Sequence, residues 1–143
     1  GDIVTMDLDG GNAANLTQHA DEDFMPQWSK DGSKVAWSSN RSGDFNVYAM
    51  NADGSGLVRL TTDPADECYP SWNGAGSEIA FSVLSGAPSE FGVYRILADG
   101  TGRTPLLGDA NIVGPIYWSS ADGRSRGGPT WPWRSRIRRN LAL

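Results

Sequence analysis

Three stretches of ten residues repeat nearly the same text: IVTMDLDGGN at 3–12, VYAMNADGSG at 47–56 and VYRILADGTG at 93–102. Their Asp-Gly pairs, Asp9-Gly10, Asp53-Gly54 and Asp99-Gly100, stand 44 and 46 residues apart. Pro26, Pro70 and Pro115 follow at 44 and 45, and Trp28 and Trp72 at 44. Trp37 and Phe81, and Leu16-Thr17 and Leu60-Thr61, keep the same 44-residue step. So many independent landmarks on one period mean a repeat architecture. A unit of about 44 residues is the size of one propeller blade of four strands.

Each unit reads as strands joined by tight turns. In PQWSKDGSKVAWSS a short strand, Pro26 to Ser29, meets a turn at Asp31-Gly32, and a second strand follows with Val35 and Trp37 on one face. SNRSG makes another turn, NVYAMN a third strand, ADGSG a hairpin and LVRLTT a fourth strand. PSWNGAGSEIAFSV, GVYRIL, ADGTG and RTPLL repeat the series. Asp-Gly between strand-like runs predicts a hairpin turn with both central residues at positive φ. Val47, Tyr48 and Met50 are expected to pack between sheets, as are Trp28, Trp37 and Trp72. No apolar stripe of helical period appears. The fold class is all-β, built of four-stranded antiparallel blades.

Composition sets limits on function. No apolar run approaches the ~18 residues that span a bilayer, and Gly1 runs straight into a strand-like pattern, so any export signal is expected to have been removed or to lie outside this sequence. Cys68 is the sole cysteine, so an intrachain disulfide is impossible. Residues 1–123 hold all 17 acids and six bases, while residues 124–143 hold six Arg and no acid. An acidic body repels a phosphate backbone, so nucleic acid is not an expected partner.

These residues resemble the repeats of TolB-like β-propellers. The pattern is carried by Pro26, Trp28, Ser29, Asp31, Gly32, Ala36, Trp37, Ser39, Arg41 and Gly43, then by Tyr48, Met50, Asn51, Ala52, Asp53, Gly54, Arg59, Leu60 and Thr61. Pro70, Trp72, Gly76, Ile79, Ala80 and Phe81 continue it in the next copy. The resemblance implies a partner-binding propeller in the periplasm or outside the cell. It covers residues 2–123.

The blade count poses a packing problem. Residues 1–18 supply the last two strands of one blade, 22–62 and 66–108 two complete blades, and 112–118 the first strand of a fourth. Two complete and two partial blades cannot close a ring, which needs about four to eight. Two chains paired head to tail would give six, the number the resemblance implies, and a homodimer is the expected assembly. The alternative is a piece of a longer propeller. Two segments follow: a repeat domain at 1–123 and an Arg/Gly/Trp-rich tail at 124–143. The tail is expected to be unordered or foreign to the repeat, or else to order against a partner through Trp131, Trp133 and Ile137.

Candidate chemistry is sparse. Asp7 to Asn12 looks like the start of a calcium loop, but the required downstream Glu is missing, so a turn is expected and no cofactor. A calcium ion at an acidic loop is the alternative. His19 is the sole histidine, and no nucleophile elbow accompanies it. The loops HADEDF (19–24) and DPADEC (63–68) are equivalent and would ring one mouth of a central channel. Their polar residues, His19, Asp21, Asp23, Asp63, Asp66 and Glu67, form the candidate binding set for a protein or carbohydrate ligand. The expected function is a non-catalytic binding scaffold. A carbohydrate-active hydrolase or lyase using Asp23 and Glu67 is the alternative, since a carboxyl pair at the right separation hydrolyses glycosides.

Overall fold

The computed structural model describes residues 1–86, 90–107 and 114–118. The tail at 124–143 and the first residues of the last expected strand lie outside them. Among the described residues there are ten strands: β1 (Val4–Thr5), β2 (Ala14–Asn15), β3 (Asp23–Trp28), β4 (Lys34–Ser42), β5 (Asp44–Asn51), β6 (Val58–Arg59), β7 (Glu67–Trp72), β8 (Glu78–Val83), β9 (Gly92–Leu97) and β10 (Thr104–Leu107). They form one two-stranded sheet, β1-β2, and two four-stranded meanders, β3-β4-β5-β6 and β7-β8-β9-β10, with every neighbour pair antiparallel. The repeat therefore folds as two full blades with a partial blade before them. Residues 114–118 pack against the far side of the second: Ile116 joins Ala80, Val93, Leu106 and Leu107.

Alternation along the strands puts apolar side chains on both faces of the first blade. Val35, Trp37, Tyr48 and Met50 face Ile3 and Leu16 of the partial blade. Ala36, Val47, Ala49 and Leu60 face Trp72, Ile79, Phe81 and Val83 of the second blade. Small residues on one sheet thus receive large ones from the next, so the two faces interdigitate. A sheet buried on both faces needs a neighbour on each, and stacking of repeats supplies it.

The Asp-Gly hairpins correct one expectation. Only the glycines are left-handed (Gly10, Gly32, Gly54 and Gly100, φ 72 to 85°), and the aspartates before them are not. Asn51 accepts from Gly54 N at 3.0 Å, and Asn51 N donates to Ser55 O at 2.8 Å. This is a type I turn closed by a glycine bulge. The right-handed Asp is useful there. Asp53 Oδ1 accepts from Ser55 N (2.9 Å) and Ser55 Oγ (2.6 Å), and Asp99 accepts from Thr101 in the same way. These bonds hold both carboxyls below the ordinary aspartate range. At Asp31, hydrogen bonds from Ser29 and Ser33 lower the pKa to about 2.

One hydrogen bond recurs between blades. Trp72 Nε1 donates to Gln27 O at 3.1 Å, and Trp118 Nε1 donates to Ser71 O at 2.9 Å. Each acceptor belongs to the residue just before the tryptophan of the preceding blade. Trp28 departs from expectation: it is 46% exposed, against 7% for Trp72. No described strand lies opposite it. Trp72→Phe keeps an aromatic six-membered ring but removes the donor with the five-membered part of the buried indole, and orphans the Gln27 carbonyl. We expect a loss of about 1–2 kcal/mol in urea denaturation with an unchanged far-UV spectrum; equal midpoints for variant and wild type would show that the bond contributes nothing.

Candidate functional site

Two features could carry function: the carboxylates at the heads of the innermost strands, and the groove between those strands. Both arise from the repeat. Thr17 Oγ1 accepts from Ile3 N at 3.0 Å, and Thr61 Oγ1 accepts from Val47 N at 2.9 Å. This ties the last strand of each blade to its third. Six residues later the chain enters the next blade at Asp23 or Glu67.

Asp23 is buried in the first joint. Its Oδ1 accepts from Trp37 Nε1 at 3.0 Å, and Arg41 Nη2 reaches both carboxylate oxygens at 2.9 Å. The guanidinium of Arg41 lies over the stacked Trp37 and Tyr48 rings, 5.5 and 5.1 Å from their centroids. Burial works to raise the Asp23 pKa, but hydrogen bonds from Ser39, Arg41, Thr17 and Trp37 together outweigh it and hold the group below 3.8. It stays ionised and paired.

Glu67 occupies the equivalent place with fewer donors. Phe81 stands where Trp37 stood, so the indole N–H is gone. Arg103 approaches from the start of β10 and takes the position of Arg41, 4.1 Å from the Tyr94 centroid and 5.8 Å from Phe81. Its Nη2 meets Glu67 Oε1 at 3.2 Å, and its Nη1 meets Asp63 Oδ2 at 3.1 Å. Glu67 is fully buried, and its Oε2 has no hydrogen-bond partner among the described residues. Burial pushes the Glu67 carboxyl up to about 6, with the negative charge of Asp63 adding to it; Thr61 and Arg103 act the other way. Beside it, burial and the charge of Asp66 raise the Cys68 thiol to about 12, which leaves it unreactive at neutral pH.

The other candidate residues are also engaged within the fold. His19 and Asp21 pair with each other at the surface, Nδ1 to Oδ2 at 2.8 Å. Asp66 Oδ1 accepts from Phe45 N at 3.2 Å and so binds the β4–β5 hairpin to the second blade. Asp9 Oδ1 caps Gly11 N at 2.9 Å, and Asp7 Oδ2 accepts from Asn12 Nδ2 at 2.6 Å, which is turn chemistry. Among the described residues no three His, Cys, Asp or Glu side chains converge as a metal-binding group, and no helix is long and apolar enough to cross a membrane.

A shallow groove runs along the innermost strands. It is lined by Met25, Gln27, Tyr69, Pro70, Pro115, Ile116 and Tyr117 and leaves about 30 Å³ of room. Met25 and Tyr69 carry left-handed backbone, φ 55° and 59°, and each precedes a proline at a bulge in its strand. Left-handed backbone in a non-glycine residue costs energy. The third copy has Gly114 before Pro115, at φ 141°. Neither these bulges nor the pairing of the two arginines with the acids stood out from the sequence, although Arg41 was part of the repeat pattern and the Xaa-Pro recurrence at 25, 69 and 114 was there to be read.

Comparison with known proteins agrees with this geometry. The family model described as TolB beta propeller domain matches residues 1–112. A solved structure carrying the TolB description, from Agrobacterium tumefaciens, superposes with a TM-score of 0.68 at 23% identity, over 81% of this chain and 46% of that one. The chain thus spans about half the length of that structure. No curated protein sequence matches it.

The Glu67 geometry predicts a pH effect with a definite sign. Its folded pKa of about 6 lies above the ordinary value of 4.5. Its contribution therefore favours the fold fully below pH 4.5 and is lost as pH rises through about 6. The size is on the order of 2 kcal/mol. Asp23 behaves oppositely, losing its contribution only as pH falls below 3.8. In denaturant titrations between pH 4.5 and 7.5, wild type should lose about 2 kcal/mol relative to Glu67→Gln; parallel pH profiles for the two proteins would refute the assignment.

Proposed function

We propose that this chain, which belongs to the TolB β-propeller domain family, is a non-catalytic binding module that receives a protein or polar ligand at the mouth of its central groove. The observation that carries this reading is the fate of the carboxylates. Asp23 and Glu67, the best-placed acids in the sequence, are buried at the joints, each paired with an arginine of its own blade, Arg41 and Arg103. What faces the groove instead is a set of apolar and aromatic side chains with a polar amide, Gln27, among them. A surface of this kind suits an extended peptide, with aromatic rings and prolines giving area and few polar groups giving register. Family membership supports a periplasmic or secreted setting. Two copies paired head to tail would supply the missing blades and complete the ring, making the working form a homodimer.

One observation favours a second reading. A carboxyl held at about 6 can serve as a general acid at neutral pH, and Glu67 has that property. Were its joint to open, a carbohydrate-active role would have a proton donor.

Two measurements separate the readings. Against a peptide array and a polysaccharide and glycoside panel, wild type should bind peptides without turning over any glycoside. Tyr69→Ala should weaken peptide binding about tenfold while leaving the melting temperature within a few degrees, because Tyr69 lines the groove and fills no core. Glycoside turnover that vanishes in a folded Glu67→Gln variant would establish the enzyme instead.

A further inference from the structure

We propose that the indole of Trp28 is a docking donor for the segment Gly114–Trp118 of a second copy of this chain, and that it bonds the backbone carbonyl of Tyr117 there. The inference rests on the two-copy ring proposed above and specifies how its halves recognise each other.

The joint is written twice inside one chain. Trp72 bonds the carbonyl of Gln27, which precedes Trp28; Trp118 bonds the carbonyl of Ser71, which precedes Trp72. The rule is one indole N–H per blade, directed at the carbonyl just before the tryptophan of the blade behind. Trp28 has the same place in its strand: Trp28 pairs with Val35 as Trp72 pairs with Ile79. Yet among the described residues its indole has no hydrogen-bond partner. Continuing the rule, its acceptor is the carbonyl preceding the next available tryptophan, which is Tyr117 before Trp118.

The acceptor segment keeps part of the pattern. β3 and β7 each bend at a left-handed residue followed by proline, Met25-Pro26 and Tyr69-Pro70. Gly114-Pro115 repeats the Xaa-Pro dipeptide with a different bend, Gly114 at φ 141°. The third copy also has one more residue between proline and tryptophan, Pro115-Ile116-Tyr117-Trp118. The acceptor is therefore placed by its step before Trp118, which makes the same indole bond as Trp72. Exposure is matched on the two sides: Met25 at 44% and Trp28 at 46% on one, Tyr117 at 55% on the other. A twofold arrangement makes the joint twice, so each copy gives one donor and one acceptor segment, and the contact closes without leaving a free end.

Sedimentation of the full chain over a concentration series, with Trp28→Phe beside wild type, tests the joint. Two symmetric hydrogen bonds, each worth a factor of about five, predict a dimer dissociation constant raised about tenfold to thirtyfold in the variant. Its melting temperature at a concentration where both are monomeric should be unchanged, since the Phe ring retains the apolar contact. In ¹⁵N spectra the indole peak missing from Trp28→Phe should, in wild type, gain protection from solvent exchange as concentration rises. A wild-type chain that stays monomeric at every concentration ends the two-copy reading and this joint with it. A dimer whose affinity is untouched by Trp28→Phe and whose Trp28 indole stays open to exchange overturns the joint alone and leaves the ring standing.

Discussion

Everything in this structure depends on how one twisted sheet is joined to the next. A blade buried on both faces has no independent core; its apolar side chains are half of a layer completed by a neighbour. Such layers slide unless something polar fixes their register, because hydrophobic contact is non-directional. A directional bond does so here, the indole-to-carbonyl bond that runs from each blade to the innermost strand of the blade behind. At the head of that strand a buried acid, held by a guanidinium of its own blade lying on an aromatic pair, braces the sheet that the joint receives. Ala36, Ala49, Ile79 and Phe81 fill the layer between.

The acid device shows how one constraint is met by different residues. In the first joint Asp23 is fully provided for: a short side chain, an indole donor and an arginine whose Nη2 reaches both carboxylate oxygens. In the second, the longer Glu67 reaches deeper, Phe81 offers no donor, and the arginine arrives from another strand. A buried carboxylate without partners is costly enough that the site must find a cation or take up a proton. It does some of both, since Arg103 covers Oε1 while Oε2 is left bare and the pKa climbs. Arg103 divides its charge between Glu67 and Asp63, so it satisfies neither as Arg41 satisfies Asp23. The two joints share a plan and differ in firmness, and the softer one lies at the centre of the described chain.

Much of this was legible in the sequence, and the limits of legibility have physical causes. The 44-residue period located the blades, the order of strands and the packing of Val47, Tyr48 and Met50 between sheets, because these follow from alternation and turn spacing. The hairpins were placed correctly but their type was not. An Asp-Gly pair is compatible with two turn classes, and only the loop length, set by the Asn51–Ser55 bond, selects between them. Arg41 and Arg103 were invisible as joint residues, since a long side chain chooses its partner after the backbone is in place. Trp28 was misjudged because periodicity says where a side chain points and is silent on what stands opposite. The acids at 23 and 67 were singled out, but their burial was not foreseen. A run of carboxylates in a loop reads as surface until a neighbouring blade is laid over it.

The Xaa-Pro bulges connect this scaffold to its groove. A residue before proline prefers extended backbone, so the left-handed Met25 and Tyr69 run against local preference and must be held there by what surrounds them. The surroundings are the joints: Trp72 fixes the strand two residues past Met25 through Gln27, and Trp118 fixes the strand two residues past Tyr69 through Ser71. The energy that bends the strand is thus drawn from contacts between blades, and the bent residue is the one that lines the groove. Its side chain takes no part in the core, so it is free to differ, and it does: Met in one blade, Tyr in the next, Gly in the third. A repeat that must conserve its joints in order to stack can in this way vary what it displays without loosening the stack.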